Sequence, residues 1–172
     1  KDMYYRAGVP AACGSRILAD HVPQVTSTAL TKLDAAGALD IARLNMVEFA
    51  TGPTGHNQVA GTPCNPWNPA CITGGSSSGS GSAVAGRLVH GALGSDTGGS
   101  IRFPSACNGL TGVKPTWGLI SRYGVSPLSW TLDHVGPMAR TVEVRAVMAA
   151  DPRDPHGRGR PHPRSSARGR PS

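Results

Sequence analysis

The chain has 172 residues, enough for one domain with a buried core, and it is 38% hydrophobic, which excludes a chain too polar to fold. Its formal charge of +7 is unevenly spread: residues 151–172, DPRDPHGRGRPHPRSSARGRPS, hold six arginines against two aspartates. The basicity is mostly a property of this tail, so it does not make the domain a nucleic-acid binder.

No apolar run is long enough to span a bilayer and no signal-peptide pattern appears, so nothing in the sequence argues for a membrane or for export. Cys13, Cys64, Cys71 and Cys107 lack C-x-x-C spacing, which speaks against zinc. Free thiols in a reducing cytoplasm are the simpler reading, although a Cys64–Cys71 disulfide is sterically conceivable.

In chain order, residues 26–37 (TSTALTKLDAAG) predict a helix with Leu30 and Leu33 on one face and Gly37 at its end. Residues 38–46 (ALDIARLNM) place Leu39 and Ile41 at alternate positions and predict a strand. Residues 51–81 are rich in turn formers, and a connection of that length in a compact domain is functional or disordered. Residues 82–89 (SAVAGRLV) suit a buried helix, and 90–96 (HGALGSD) a short strand. Short strands and turns are expected over 110–142, followed by a helix with Thr141 at its N-cap. The tail over 151–172 has no large apolar residue and five prolines, so it is expected to be disordered or out of frame.

The segment GSDTGGSIRFP, residues 94–104, puts a flexible polar run directly after an apolar one. A phosphate cradle of the P-loop type needs a lysine after its last glycine, and the only lysines are Lys1, Lys32 and Lys114. Asp96-Thr97-Gly98 matches an aspartic-protease turn, but that chemistry needs a second carboxylate turn and none is present. Residues 75–79 fit the G-x-S-x-G elbow with Ser77 at the centre. Its acid and base fail it: Asp133 and His134 are adjacent and cannot serve as independent triad members, and His156 and His162 lie in the tail expected to be disordered. Plain Gly/Ser linkers are the bland alternative. Two such loops, separated by one helix and one strand, instead point to two backbones converging on one site.

GGSSSGSGSAVAGRLVHGALGSDTGGSIRFPSACNGLTGVKPT resembles the signature segment of the amidase signature family. The resemblance runs from KDMYYRAGVPAACGSRIL through AGALDIARLNMVEFATG and NPWNP to SRYGVSPLSWTLDHVGPMARTVE, residues 1–148. It implies an α/β fold, the amidase signature fold with a mixed β-sheet core flanked by helices. About a third of the family domain would lie here, over residues 1–150, ahead of the Arg/Pro-rich tail at 151–172. The implied activity is hydrolysis of a carboxamide C–N bond through an acyl-enzyme, on a small-molecule amide, in the cytoplasm, with no metal, cofactor, nucleic acid or membrane. A homodimer is left open.

By motif, the resemblance makes Ser100 the nucleophile, Ser76 the bridging serine in a cis peptide, and Lys1 the base. It also implies a glutaminase subunit of a tRNA-dependent amidotransferase as an alternative, and a truncated, catalytically dead gene product as another. Phe103 stands where the amidotransferase subunits usually carry glutamine, which favours a stand-alone amidase.

The chemistry explains the residue types. A serine hydroxyl needs a base to become nucleophilic, and lysine serves only as the neutral amine. Lowering its pKa to 7–8 takes a shift of ~3 units, or roughly 4 kcal/mol, from burial or nearby positive charge. The expected relay runs from Lys1 through Ser76 to Ser100. The backbone N–H groups of Thr97, Gly98, Gly99 and Ser100 are the expected oxyanion hole. Ser77, Asp96 and Arg102 are expected to support the loops through hydrogen bonds, and Ser78 and Ser80 to be loop filler. Met46, Phe49 and Trp130 are open to two readings, core or acyl-pocket lining, with core the default.

Overall fold

The computed structural model describes residues 1–142. The expected tail at 151–172, and all but the first two positions of the helix expected from Thr141, lie outside the described residues. The elements are α1 (Thr28–Ala35), a short 3-10 turn (Glu48–Ala50), α2 (Ser78–Ala85), β1 (Gly91–Asp96), α3 (Arg102–Cys107), β2 (Thr111–Gly112) and β3 (His134–Ala139).

The three strands form a sheet in the order β1-β3-β2. Gly91 to Asp96 of β1 pair antiparallel with Ala139 to His134 of β3, and Thr111 of β2 lies opposite Ala139. Every pairing in this sheet is antiparallel, so the mixed character implied by the resemblance does not arise from the described strands. No helix among the described residues is long and apolar enough to cross a membrane.

Local chemistry accounts for α1. The Leu30 N–H donates to the Ser27 side chain, satisfying one of the orphan donors at the helix start. At the other end Gly37 adopts φ +81°, and the Ala38 N–H reaches back to the Leu33 carbonyl at 2.9 Å, closing a Schellman-type stop. Ala29 and Leu30 are buried against a core that includes Met3, Tyr4, Cys13, Met46 and Val135.

Three expectations need correction. Residues 38–46 form no strand: Leu39 is 86% and Ile41 67% exposed, and no neighbouring strand lies alongside among the described residues. An alternating pattern becomes a strand only where a ladder exists to receive it. Next, α2 begins four residues before the expected 82. Ser78 and Ser80, expected as loop filler, are fully buried in its first turns, because tertiary contact overrides the poor helix propensity of Ser and Gly. Finally, the end of the flexible polar run expected over 94–104 is helical, since α3 begins at Arg102. Pro104 sits in its first turn, where a missing N–H costs little.

The contact between α2 and the 45–47 segment fixes the centre of the molecule. The Gly79 N–H donates to the Asn45 carbonyl at 2.9 Å, and the Val47 N–H to the Ser76 carbonyl at 3.1 Å. A Cβ on Gly79 would lie 2.5 Å from Asn45 N and 2.7 Å from Asn45 O, both backbone atoms with little freedom to yield. Alanine ordinarily stabilises a helix over glycine by ~1 kcal/mol. Here the clash reverses the sign, and Gly79→Ala is expected to lower the unfolding free energy by about 1–3 kcal/mol, as read by denaturant titration.

Candidate functional site

The site grows from the Lys1 amine. Its side chain runs inward at 6% exposure, and Nζ donates to Ser76 Oγ at 2.8 Å and to Ser95 Oγ at 2.6 Å. The Lys1 main-chain nitrogen donates to the Leu93 carbonyl at 3.3 Å, tying this segment to β1. A little further on, Tyr4 is enclosed in the core and its hydroxyl donates to the Gly94 carbonyl at 2.5 Å. The lysine is thus anchored along the strand that carries one of its partners.

Ser76 enters from the loop ahead of α2, after a cis Gly75–Ser76 peptide bond. That loop packs tightly: a Cβ on Gly75 would lie 2.9 Å from both Gly52 O and Gly55 N. Ser77 is also fully buried. Its Oγ accepts from the Ser95 N–H at 3.3 Å and donates to the Ser95 carbonyl at 3.4 Å. The two serines therefore divide the work, Ser76 facing the amine and Ser77 joining its loop to β1.

Beyond Ser95 the chain turns around Asp96, which is completely buried. Its Oδ1 accepts from the Gly99 N–H at 2.8 Å and from Arg102 Nη2 at 3.0 Å. Its Oδ2 accepts from the N–H groups of Ile101 at 3.2 Å and Arg102 at 3.3 Å, and from Arg102 Nε at 3.0 Å. Burial pushes this carboxyl toward protonation, but the Arg102 guanidinium and the backbone donors outweigh it, holding the pKa below the usual range. Thr97 Oγ1 donates to Asp133 Oδ1 at 2.6 Å, and Asp133 also accepts from the N–H groups of Leu128 and Ser129.

The structure brings Lys1, Ser76 and Ser77 together with Ser95. Ser100 lies half-buried at the turn between β1 and α3, and its hydroxyl has no hydrogen bond among the described residues. The N–H groups of Thr97, Gly98 and Ser100 are likewise without a partner there. Gly99 departs from its expected place in the oxyanion hole, since its N–H is committed to the Asp96 carboxylate. Ser95 was not singled out from the sequence. The one signal for it is a serine among small apolar residues inside a strand.

Met46 is fully buried, as in the default reading, whereas Phe49 and Trp130 are 38% and 62% exposed and do not belong to the core. All four cysteines are free, Cys64 and Cys71 included. No group of three or more His, Cys, Asp or Glu side chains among the described residues is placed to hold a metal ion.

The electrostatics of Lys1 follow from its position. Burial lowers the amine from its ordinary 10.5 to about 7, against the fields of Asp96, Cys13 and Asp133, which favour the protonated form. Desolvation outweighs those fields because the amine is almost wholly withdrawn from water.

The amidase family model matches residues 1–166. The A subunit of glutamyl-tRNA(Gln) amidotransferase from Anaeromyxobacter dehalogenans is 47% identical over 167 residues, 94% of this chain and 34% of that protein. Among solved structures, the corresponding A subunit from Thermotoga maritima superposes with a TM-score of 0.81 at 39% identity, covering 87% of this chain and 33% of its own. The native peptide amidase of Stenotrophomonas maltophilia gives a TM-score of 0.81 at 36% identity, covering 87% and 31%. The chain spans about a third of the length of the relatives it matches.

Two outcomes follow from the charges. Because the Lys1 amine has a lower pKa folded than unfolded, the unfolded state binds more protons between pH 7 and 10.5, so this group makes stability rise with pH across that window. At pH 7 the penalty is about 4 kcal/mol. Lys1→Met is expected to flatten that slope in unfolding free energies measured from pH 7 to 10. Asp96→Asn removes the charge under five hydrogen bonds and is expected to cost about 3 kcal/mol of stability, checked by thermal and denaturant melts.

Proposed function

Since the chain belongs to the amidase family, we propose that it carries the catalytic residues of an amidase that cleaves a carboxamide C–N bond through an acyl-enzyme on Ser100. The observation that carries this reading is the buried Lys1 amine 2.8 Å from Ser76 Oγ, with a pKa of about 7. A lysine in that state is available as a neutral base near pH 7, which an exposed lysine is not.

In the proposed reaction the neutral Lys1 amine keeps one N–H on Ser95 and turns its lone pair to the Ser76 hydroxyl. Ser76 gives its proton to Lys1 as it takes the proton of Ser100. The Ser100 oxygen then bonds to the carbonyl carbon, and the C=O π electrons move onto oxygen. The unpartnered N–H groups of Thr97, Gly98 and Ser100 are the donors proposed for that oxyanion. As the tetrahedral intermediate collapses, the C–N bond breaks and the proton passes back through Ser76 to the leaving amine or ammonia. Water attacks the acyl-enzyme by the same relay and releases the carboxylate.

Asp96 and Arg102 serve as positioning residues. Five hydrogen bonds onto one carboxylate hold the turn that presents Ser100 and orients those N–H groups. Ser77 holds the end of β1, and with it Ser95, against the Ser76 loop.

A second reading is a glutaminase acting within an amidotransferase, and the names of the similar amidotransferase proteins favour it. Phe103, 39% exposed in the first turn of α3, favours the stand-alone amidase. Glutamine turnover together with copurification of a second polypeptide would select the amidotransferase. Turnover of other amides by the isolated protein would select the amidase.

Labelling with a fluorophosphonate, followed by peptide mapping, tests the shared chemistry. The adduct is expected on Ser100 and is expected to disappear with Ser100→Ala. Its rate should rise with pH through an inflection near 7, because the neutral amine is the active form. Lys1→Ala should slow labelling by about 10²–10⁴-fold and remove that inflection. An adduct on Ser77, or none on a folded chain, would overturn the reading.

A further inference from the structure

Two thiols take no part in the proposed chemistry and sit where two chain segments run side by side. We propose that Cys71 and Cys107 form a dithiol that a peroxide oxidant closes to a disulfide, bracing the approach to Ser76 against helix α3.

Hydrogen bonds hold the two segments together. The Asn65 side-chain amide donates to the Ile72 carbonyl at 3.0 Å and to the Cys107 carbonyl at 2.9 Å, so the residue after Cys71 and Cys107 itself share one NH2 group. The Asn108 amide continues the seam, donating to the Thr73 carbonyl at 2.7 Å and to the Pro104 carbonyl at 2.8 Å. The Cys107 sulfur lies against this segment, since a Cβ on Gly74 would come 3.0 Å from Sγ. At the other end, the Cys71 N–H donates to the Asn68 carbonyl at 2.9 Å, turning the chain at Cys71 just before it passes α3. Cys64 is exposed too, but its segment is tied to α2, where Ser82 Oγ donates to the Cys64 carbonyl at 2.7 Å.

The two thiols differ in a way that sets the order of events. Both are free, Cys71 exposed and Cys107 half-buried. Burial, and after it the field of Cys71, pushes the Cys107 thiol up from its ordinary value. Each sulfur is therefore within electrostatic reach of the other, and Cys71 meets the oxidant first. Its thiolate attacks a peroxide oxygen: the S–O bond forms, the O–O bond breaks, and the leaving hydroxide takes up a proton as water. Cys107 then loses its proton and its sulfur attacks the sulfenic sulfur of Cys71. The S–S bond forms, the S–O bond breaks, and a second water leaves. Two thiols and one hydrogen peroxide thus give one disulfide and two waters.

Position gives the bond its effect. Cys71 precedes the loop that carries Ser76, and Cys107 ends the helix that begins just after Ser100. A link between them ties the entry of one serine loop to the helix that follows the other. The inference does not depend on the roles proposed for Lys1, Ser76 and Ser100, because its test reads a covalent bond and amide exchange.

The experiment treats the whole chain with hydrogen peroxide, blocks the remaining thiols with N-ethylmaleimide in denaturant, and maps an unreduced digest by mass spectrometry. The expected product is an intramolecular Cys71–Cys107 cross-link that dithiothreitol removes. While it is in place, amide exchange over residues 71–75 should slow by about tenfold or more. Cys64→Ser should leave the yield unchanged. With Cys107→Ser the reaction should stop at a sulfenic acid on Cys71, trapped by dimedone. With Cys71→Ser, oxidation of Cys107 should be slower by about tenfold or more. A Cys64–Cys71 cross-link, a disulfide-linked dimer, or thiols at 71 and 107 that stay reduced would overturn the proposal. So would the expected cross-link with unchanged exchange.

Discussion

An amine taken out of water must find hydrogen-bond partners or give up its proton, and at Lys1 both happen. Two serine hydroxyls meet Nζ at 2.8 and 2.6 Å, and burial brings its pKa to about 7. Much of the local architecture serves this arrangement. The first residues run through the core beside β1, Tyr4 caps the Gly94 carbonyl, and Ser77 joins the Ser76 loop to Ser95. Gly79 lets α2 approach the 45–47 backbone closely enough to bring Ser76 under the amine. Each contact is an ordinary hydrogen bond or close approach. Together they keep a polar cluster dry.

A second charge lies close by, and its handling matters as much. Asp96 is fully buried and its field pulls Lys1 toward the protonated state. Left unpaired, it would compete with desolvation for control of the amine. Arg102 and three backbone N–H groups saturate both its oxygens, which keeps the carboxylate ionised and limits its pull on Lys1. The same five bonds shape the turn that carries Ser100. Loop geometry and the state of the base therefore depend on one carboxylate. The arrangement also withdraws the Gly99 N–H from the set of donors facing outward.

The outer surface has a different character. Leu39, Ile41, Leu88, Trp117, Leu119, Trp130 and Leu132 all stand more than 45% exposed. In relatives about three times as long, the fold has far more chain with which to cover apolar surface. The Lys1 cluster is buried and hydrogen-bonded, whereas these apolar side chains stand in water.

The family was legible in the sequence, and so were the residues proposed for the chemistry, because contiguous motifs encode them. Gly-Gly-Ser-Ser-Ser and Asp-Thr-Gly-Gly-Ser place Ser76 and Ser100, and a Lys-Asp pair places Lys1. Helix α1 and strand β1 were legible because Ser27, Gly37 and the run from Gly91 act locally, through caps and apolar pattern. What lay beyond reach were features created by partners distant in the chain. Ser95 gains its importance from Lys1, 94 positions away, and the Gly99 N–H loses its freedom to a carboxylate whose orientation Arg102 sets. Helix α2 begins among Ser and Gly because Asn45 and β1 bury them, while residues 38–46 have a strand's pattern but join no sheet among the described residues. The sequence by itself determined the chemistry available and the local turns that present it. Tertiary structure alone decided which groups are dry, which are paired and which face solvent, because desolvation and hydrogen bonding depend on what packs nearby and not on what is adjacent in the chain.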